Sequence, residues 1–176
     1  MNESSSTQTS SRVSPATDPH APLWHLGSLF RWLATAHETG GAFALAEVVV
    51  RAGAEPPPHV HANEEESFYV LEGDLEFLVD GVSTRARAGD FLVLPRGKVH
   101  AFLVRSAEAR LLLMVTPGGL DEAFVATSEP APRAALPPPM DGPPPREVIE
   151  RLLAIHGARG VRFQLGGPPE GAPRTG

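Results

Sequence analysis

The stretch EPPPHVHANEEESFYVLEGD, residues 55–74, sets three prolines before His59 and His61, and three glutamates, Glu64 to Glu66, before an apolar run that ends at Gly73. In an extended chain, side chains two residues apart share a face, so His59 and His61 project together while Val60 points away. One metal ion can take both imidazoles. Glu66 opens the next apolar run, and a turn at Ala62 and Asn63 brings it back beside the histidines as a hard oxygen donor. Two histidines and a carboxylate form the ligand set of open non-haem metal sites.

A second stretch, GDFLVLPRGKVHAFLV, residues 89–104, reads as strand, turn and strand, and offers His100 as a fourth ligand. A six-coordinate ion held by three imidazoles and one carboxylate keeps two positions for water, dioxygen or a chelating substrate. Each feature has a plainer reading by itself. A His-x-His pair is usually a polar strand or loop, a glutamate run a solvated face, and a histidine beside an apolar strand a hydrogen-bonded core residue. Two separate segments supplying one ligand set are more specific than any of these alone.

The 176 residues fit one domain with appendages, and 41% apolar content supports a packed core. The 15 basic residues are scattered and outnumbered by 21 acidic ones, giving a net charge of -6, which argues against a nucleic-acid partner. Cysteine is absent, so disulfides, thiolate metal sites and cysteine nucleophiles are excluded, and any metal must be held by nitrogen and oxygen. The N-terminus lacks the basic start and apolar run of a secretory signal, and no stretch approaches the ~20 apolar residues of a membrane span. The expectation is a cytoplasmic protein without membrane association.

Residues 1–22, rich in Ser, Thr and Pro, read as a disordered tail. From Trp24 to Ala34 the pattern fits either a helix, through Leu26, Leu29, Phe30 and Leu33, or a strand; the strand is preferred. Short strand-like runs follow at Phe43 to Arg51, Ser67 to Leu71, Leu75 to Val79, Ser83 to Arg87, Phe91 to Leu94, Ala101 to Val104 and Arg110 to Val115, which argues for an all-β sandwich or barrel over residues 23–128. Asp80-Gly81 signals a tight hairpin. Residues 129–145 read as a stiff Pro-rich linker. Residues 146–165 are expected to hold a short helix, with Val148, Ile149, Leu152 and Ile155 on one face and Gly157 as its C-terminal cap, followed by a strand at Val161 to Leu165. Residues 166–176 read as a second disordered tail.

The two stretches resemble the two motifs of the cupin superfamily. The first motif runs Gly, five residues, His-x-His, four residues, Glu, six residues, Gly, and Gly53, His59, His61, Glu66 and Gly73 fit it. Only Glu66, rather than Glu64 or Glu65, leaves six residues before Gly73. The second motif is matched by Gly89, Pro95, Gly97 and His100, with Val104 where the pattern has Asn. The resemblance implies a double-stranded β-helix, or jelly-roll barrel, in which the glycines and Pro95 serve the turns. It also implies a metal held by His59, His61, Glu66 and His100.

If those four side chains face inward, alternation also turns Phe68 and Phe102 inward, as lining of an apolar substrate pocket or as core filler. Within the superfamily the sequence is most similar to quercetin 2,3-dioxygenase-like cupins. That similarity implies cleavage of a flavonol-type substrate by dioxygen, with Glu66 as catalytic proton acceptor. Competing readings are a metal-dependent isomerase or cyclase, for which few further acids or bases are evident, and a non-catalytic small-molecule sensor. The ligand set accepts Fe, Ni, Co, Mn or Cu, with Zn also compatible. By analogy with other cupins the protein is expected to form a homodimer.

Overall fold

The computed structural model describes residues 18–165. The tail expected at 166–176, and residues 1–17 of the N-terminal one, lie outside the described residues. In chain order the elements are β1 (Leu23–His25), β2 (Ser28–Ala34), β3 (Ala44–Arg51), β4 (His59–His61), β5 (Glu65–Glu72), β6 (Asp74–Val79), β7 (Val82–Arg87), β8 (Phe91–Leu94), β9 (His100–Val104), β10 (Glu108–Thr116), α1 (Asp121–Ala126), β11 (Glu129–Pro130), α2 (Arg146–Ala158) and β12 (Val161–Phe163).

The strands form two antiparallel sheets. One has seven strands in the order β11-β1-β2-β3-β10-β5-β8, the other five in the order β12-β4-β9-β6-β7. Period-two alternation builds the core. Ala44, Ala46, Val48 and Val50 of β3 are buried, as are Ala109, Leu111, Leu113 and Val115 of the adjacent β10. Trp32, Leu75 and Phe77 fill the space between the sheets. On the outer face Glu47 of β3 pairs with Arg31 at 2.6 Å and Arg110 at 3.3 Å.

The region Trp24 to Ala34 is strand, as preferred. β1 and β2 form a hairpin whose turn residues Leu26 and Gly27 both have positive φ, at 46° and 88°. Phe30 and Trp32 point inward while Leu33 is 38% exposed, the reverse of what a helical face would require. Asp80 and Gly81, with φ of 47° and 79°, make the expected tight turn between β6 and β7.

Four features differ from expectation. A short helix, α1, follows β10 where none was anticipated. The segment 129–145 does not separate two parts. Glu129 and Pro130 pair with Trp24 and Leu23, Trp24 Nε1 donates to the Ala135 carbonyl at 2.8 Å, and Met140 borders the internal cavity. Proline removes donors but leaves carbonyls and apolar rings, so such a segment can still cover a sheet edge. Third, α2 runs through Gly157 and ends at Ala158, capped by Arg159 and followed by Gly160 with φ of 90°; its packed face carries Leu152 and His156, while Val148 is 40% exposed. Finally, residues 18–22 of the expected tail are anchored, since His20 Nδ1 lies 2.9 Å from the Trp32 carbonyl. Among the described residues no helix is long and apolar enough to cross a membrane.

Candidate metal centre

The short strand β4 carries both histidines of the first stretch. It pairs with β9 so that His59 lies opposite His100, and with β12 so that His61 lies opposite Val161 and His59 opposite Phe163. Glu66 comes from the other sheet, where β5 sets it between Val115 of β10 and Leu94 of β8. Three imidazoles from one sheet and a carboxylate from the other therefore meet inside the barrel. All four residues are buried, and one ligand-type atom from each lies within 4.8 Å of the others.

Hydrogen bonds orient two of the rings. His59 Nδ1 is 2.9 Å from the Pro57 carbonyl and His100 Nδ1 is 3.1 Å from the Lys98 carbonyl. A carbonyl only accepts, so each Nδ1 carries the proton and each Nε2 keeps its lone pair. His100 Nε2 and both nitrogens of His61 are buried without a hydrogen-bond partner among the described residues. Glu66 lies 3.6 Å from His61 Nε2 and 3.4 Å from His100 Nε2, at or beyond the outer limit of a hydrogen bond. Buried polar atoms left unpaired are costly unless something joins them, and a cation accepting nitrogen and carboxylate lone pairs does so. The donor set fits a divalent transition metal.

The electrostatics point the same way. Burial pushes His59 down to about 4, with the neighbouring imidazoles adding to the shift and Glu66 opposing it. Burial alone would raise Glu66, but His61 and the other imidazoles hold it at about 2, so the carboxylate is ionised. His59 is thus neutral and Glu66 ionised near pH 7, the protonation states that bind metal.

Phe68 and Phe102 are both buried, 5.8 Å apart between ring centroids, and border a cavity of about 450 Å³ that also reaches the four clustered residues. Met140, Pro143, Ile149, Leu152 and Phe163 from the C-terminal segment also line it. Tyr69 faces outward and Lys98 pairs with Asp80 on the surface, so neither reaches the site.

Three further polar residues were missed. Glu64, read as part of a solvated run, is 7% exposed and sits 3.7 Å from His61 Nδ1. Burial raises its pKa and the facing His61 opposes the shift. Its place three residues after His61, on the turn into β5, was the available signal. His25 and His156 are buried and border the same cavity. His25 carries no local signal, whereas His156 follows Leu152 by four residues and so shares its helix face.

Residues 46–116 match the family model described as a cupin domain. Over 102 residues the chain is 28% identical to quercetin 2,3-dioxygenase of Bacillus subtilis (strain 168), covering 58% of this chain and 30% of that protein. Over 84 residues it is 36% identical to the polyketide synthase CurC of Streptomyces cyaneus, covering 47% of this chain and 53% of that one. The chain therefore spans about half or less of these curated relatives. Among solved structures it resembles an RmlC-like cupin from Shewanella frigidimarina NCIMB 400, with a TM-score of 0.50, 22% identity and coverage of 58% of this chain and 88% of that one. The domain match over residues 46–116 agrees with the two motifs and the facing antiparallel sheets, so this part of the chain has the cupin fold.

Proposed function

We propose that the protein is a metal-dependent oxygenase acting on a small, flat, oxygen-bearing aromatic molecule of the flavonol type. The observation that carries this reading is the ligand set itself. His59, His61, Glu66 and His100 converge at a cavity of about 450 Å³ whose remaining lining is mainly apolar and aromatic. A site of that size and polarity takes a drug-sized ring system and orients it by few polar contacts. The similarity to a quercetin 2,3-dioxygenase supports the same substrate class.

In this reading His59, His61 and His100 hold the ion through Nε2, and Glu66 through one carboxylate oxygen. A divalent transition metal bound there supplies Lewis acidity and access to dioxygen chemistry. Glu66 accepts the proton of the substrate hydroxyl on a carboxylate oxygen, being ionised before the substrate arrives. Glu64 faces Nδ1 of His61 at 3.7 Å, beyond hydrogen-bond reach, and adds a second buried carboxyl beside that ring. Phe68 and Phe102 pack against the aromatic system and exclude water from the reacting face.

The test is dioxygen uptake with quercetin by protein reconstituted separately with iron, nickel, cobalt, manganese and copper, beside Glu66→Gln. Uptake matched to flavonol loss, and lowered about 100-fold or more in a variant that still holds metal, is the expected result. Full turnover by metal-loaded Glu66→Gln would remove the proton-acceptor role. A second reading, a metal-dependent isomerase or cyclase, gains support from His25 and His156, which add two buried bases to the cavity wall. Substrate conversion without dioxygen uptake would favour it.

A further inference from the structure

His25 on β1 and His156 on α2 face each other with ring centroids 6.0 Å apart, on a part of the cavity wall that the metal chemistry leaves unused. They come from opposite ends of the barrel sequence and are held by the same short segment. His25 Nδ1 is 3.2 Å from Ser128 Oγ, and His156 Nε2 is 3.2 Å from Thr127 Oγ1. Both hydroxyls have already committed their single proton to the end of α1: Ser128 Oγ donates to the Phe124 carbonyl and Thr127 Oγ1 to the Ala123 carbonyl, each at 2.7 Å. Each hydroxyl can then only accept from the imidazole.

That assignment fixes the tautomers. His25 carries its proton on Nδ1 and His156 on Nε2, so Nε2 of His25 and Nδ1 of His156 hold lone pairs. No hydrogen bond among the described residues is made to either atom, and the Thr127 carbonyl lies close enough to the His25 ring to favour its protonated form. Burial pushes His25 down to about 3, with His156 adding to the effect, and pushes His156 down to about 4, with His61 lowering and Glu66 raising it. Both rings are neutral at pH 7 and accept at those atoms. Phe124 packs edge-on against both, with centroids 5.1 Å from each, which restrains their orientation.

Phe163 links the pair to the ligand cluster. Its ring lies 6.0 Å from His156 and 5.4 Å from His59. One cavity is therefore bordered by the histidine pair, Phe163 and the ligand cluster with Glu66.

We propose that His25 and His156 form a second polar pole of the cavity, an acceptor pair that selects ligands carrying a hydroxyl donor remote from the metal-binding oxygen. The substrate class narrows accordingly to polyhydroxylated aromatics, and methyl ethers at that position are rejected. This rests on the oxygen-bearing aromatic substrate proposed above, but the pole is a property of the wall and can be probed without turnover.

The experiment has two readouts. Long-range nitrogen–proton NMR of ¹⁵N-histidine-labelled protein at pH 7 is expected to show His25 protonated at Nδ1 and His156 at Nε2. The opposite tautomers, or charged rings, would overturn the proposal without any variant. Binding is then measured by NMR shift titration with phenol and anisole, and by fluorescence with quercetin and 3-hydroxyflavone, on wild type, His25→Phe and His156→Phe. Phenol is expected to bind about tenfold tighter than anisole, a difference of one hydrogen bond, and each variant to cut that preference to about twofold or less. Equal binding of phenol and anisole, binding of neither, or an undiminished preference in both variants would refute the acceptor pole. If the phenol preference depends on the pair but neither flavonol binds, the pole stands and the flavonol reading falls. A variant that fails to fold leaves the wild-type preference and the tautomers as the deciding results.

Discussion

The wall that gathers the four candidate ligands is built from β4, β5 and β9, whose contributing residues lie in two stretches of the sequence and follow strand spacing. The rest of the cavity lining draws on β1, the end of α1, the Pro-rich segment, α2 and β12. There a contact such as His25 to Ser128 joins residues 103 apart. In the proposed function the first wall supplies the chemistry, and the second selects what fits and how it is held. The two are not independent, because β12 pairs with β4 over three residues whereas β9 pairs with it over one. The C-terminal segment therefore backs the strand that carries His59 and His61.

The comparison is broken most severely by Leu152→Asp. Leu152 is buried on α2 beside the cavity, and an unpaired carboxylate there is expected to cost about 3–5 kcal/mol. Hydrogen exchange should then show α2 and β12 losing protection while β3 and β10 keep theirs. Uniform loss would mean that the segment and barrel form one cooperative unit. Gly73→Ala strikes the ligand wall instead. With φ of 103° and an added Cβ 2.9 Å from the Ala109 Cα, it forces backbone against backbone, and a loss of about 2–3 kcal/mol in urea titration is expected. A loss below about 0.5 kcal/mol would show that the turn relaxes.

A pH comparison sharpens the second wall. An unfolded His25 takes its proton near 6.5 but the folded one only near 3. Between those values the unfolded state binds more protons, so stability falls as pH is lowered through that window. The contribution is up to about 1.4 kcal/mol per pH unit. Denaturant titrations from pH 7 to pH 5 should show a steeper loss for wild type than for His25→Phe, and equal slopes would mean that His25 protonates freely in the folded state. The smallest effect is expected from Arg146→Ala, which removes the exposed pair with Glu150 at the start of α2. A change within about 0.5 kcal/mol is predicted; a larger one would give that helix end a role in docking.

What was legible in the sequence follows the same division. Strand alternation in residues 43–115 exposed the barrel, and the spacing of His59, His61, Glu66 and His100 brought together four residues that do converge. Strand geometry is local, so it writes itself into spacing. The docking of 129–145 was not legible, because proline-rich sequence reads alike whether it spans solvent or covers an edge, as Trp24 and Ala135 show. The burial of Glu64 depended on the path of the turn into β5, and that of His25 on residues brought in from beyond α1. The cap at Arg159 rather than Gly157 reflects two more helical residues, Gly157 and Ala158, than the apolar pattern required.

The most direct measurement is elemental analysis of protein purified without chelator, or reconstituted with each candidate ion and desalted, beside His61→Ala treated identically. About one transition-metal ion per chain in wild type, lost in the variant together with a metal-dependent rise in melting temperature, is the predicted result. Wild-type protein that retains no ion after incubation with iron, nickel, cobalt, manganese, copper or zinc, or a variant that retains it equally, would contradict the metal centre and with it the proposed oxygenase.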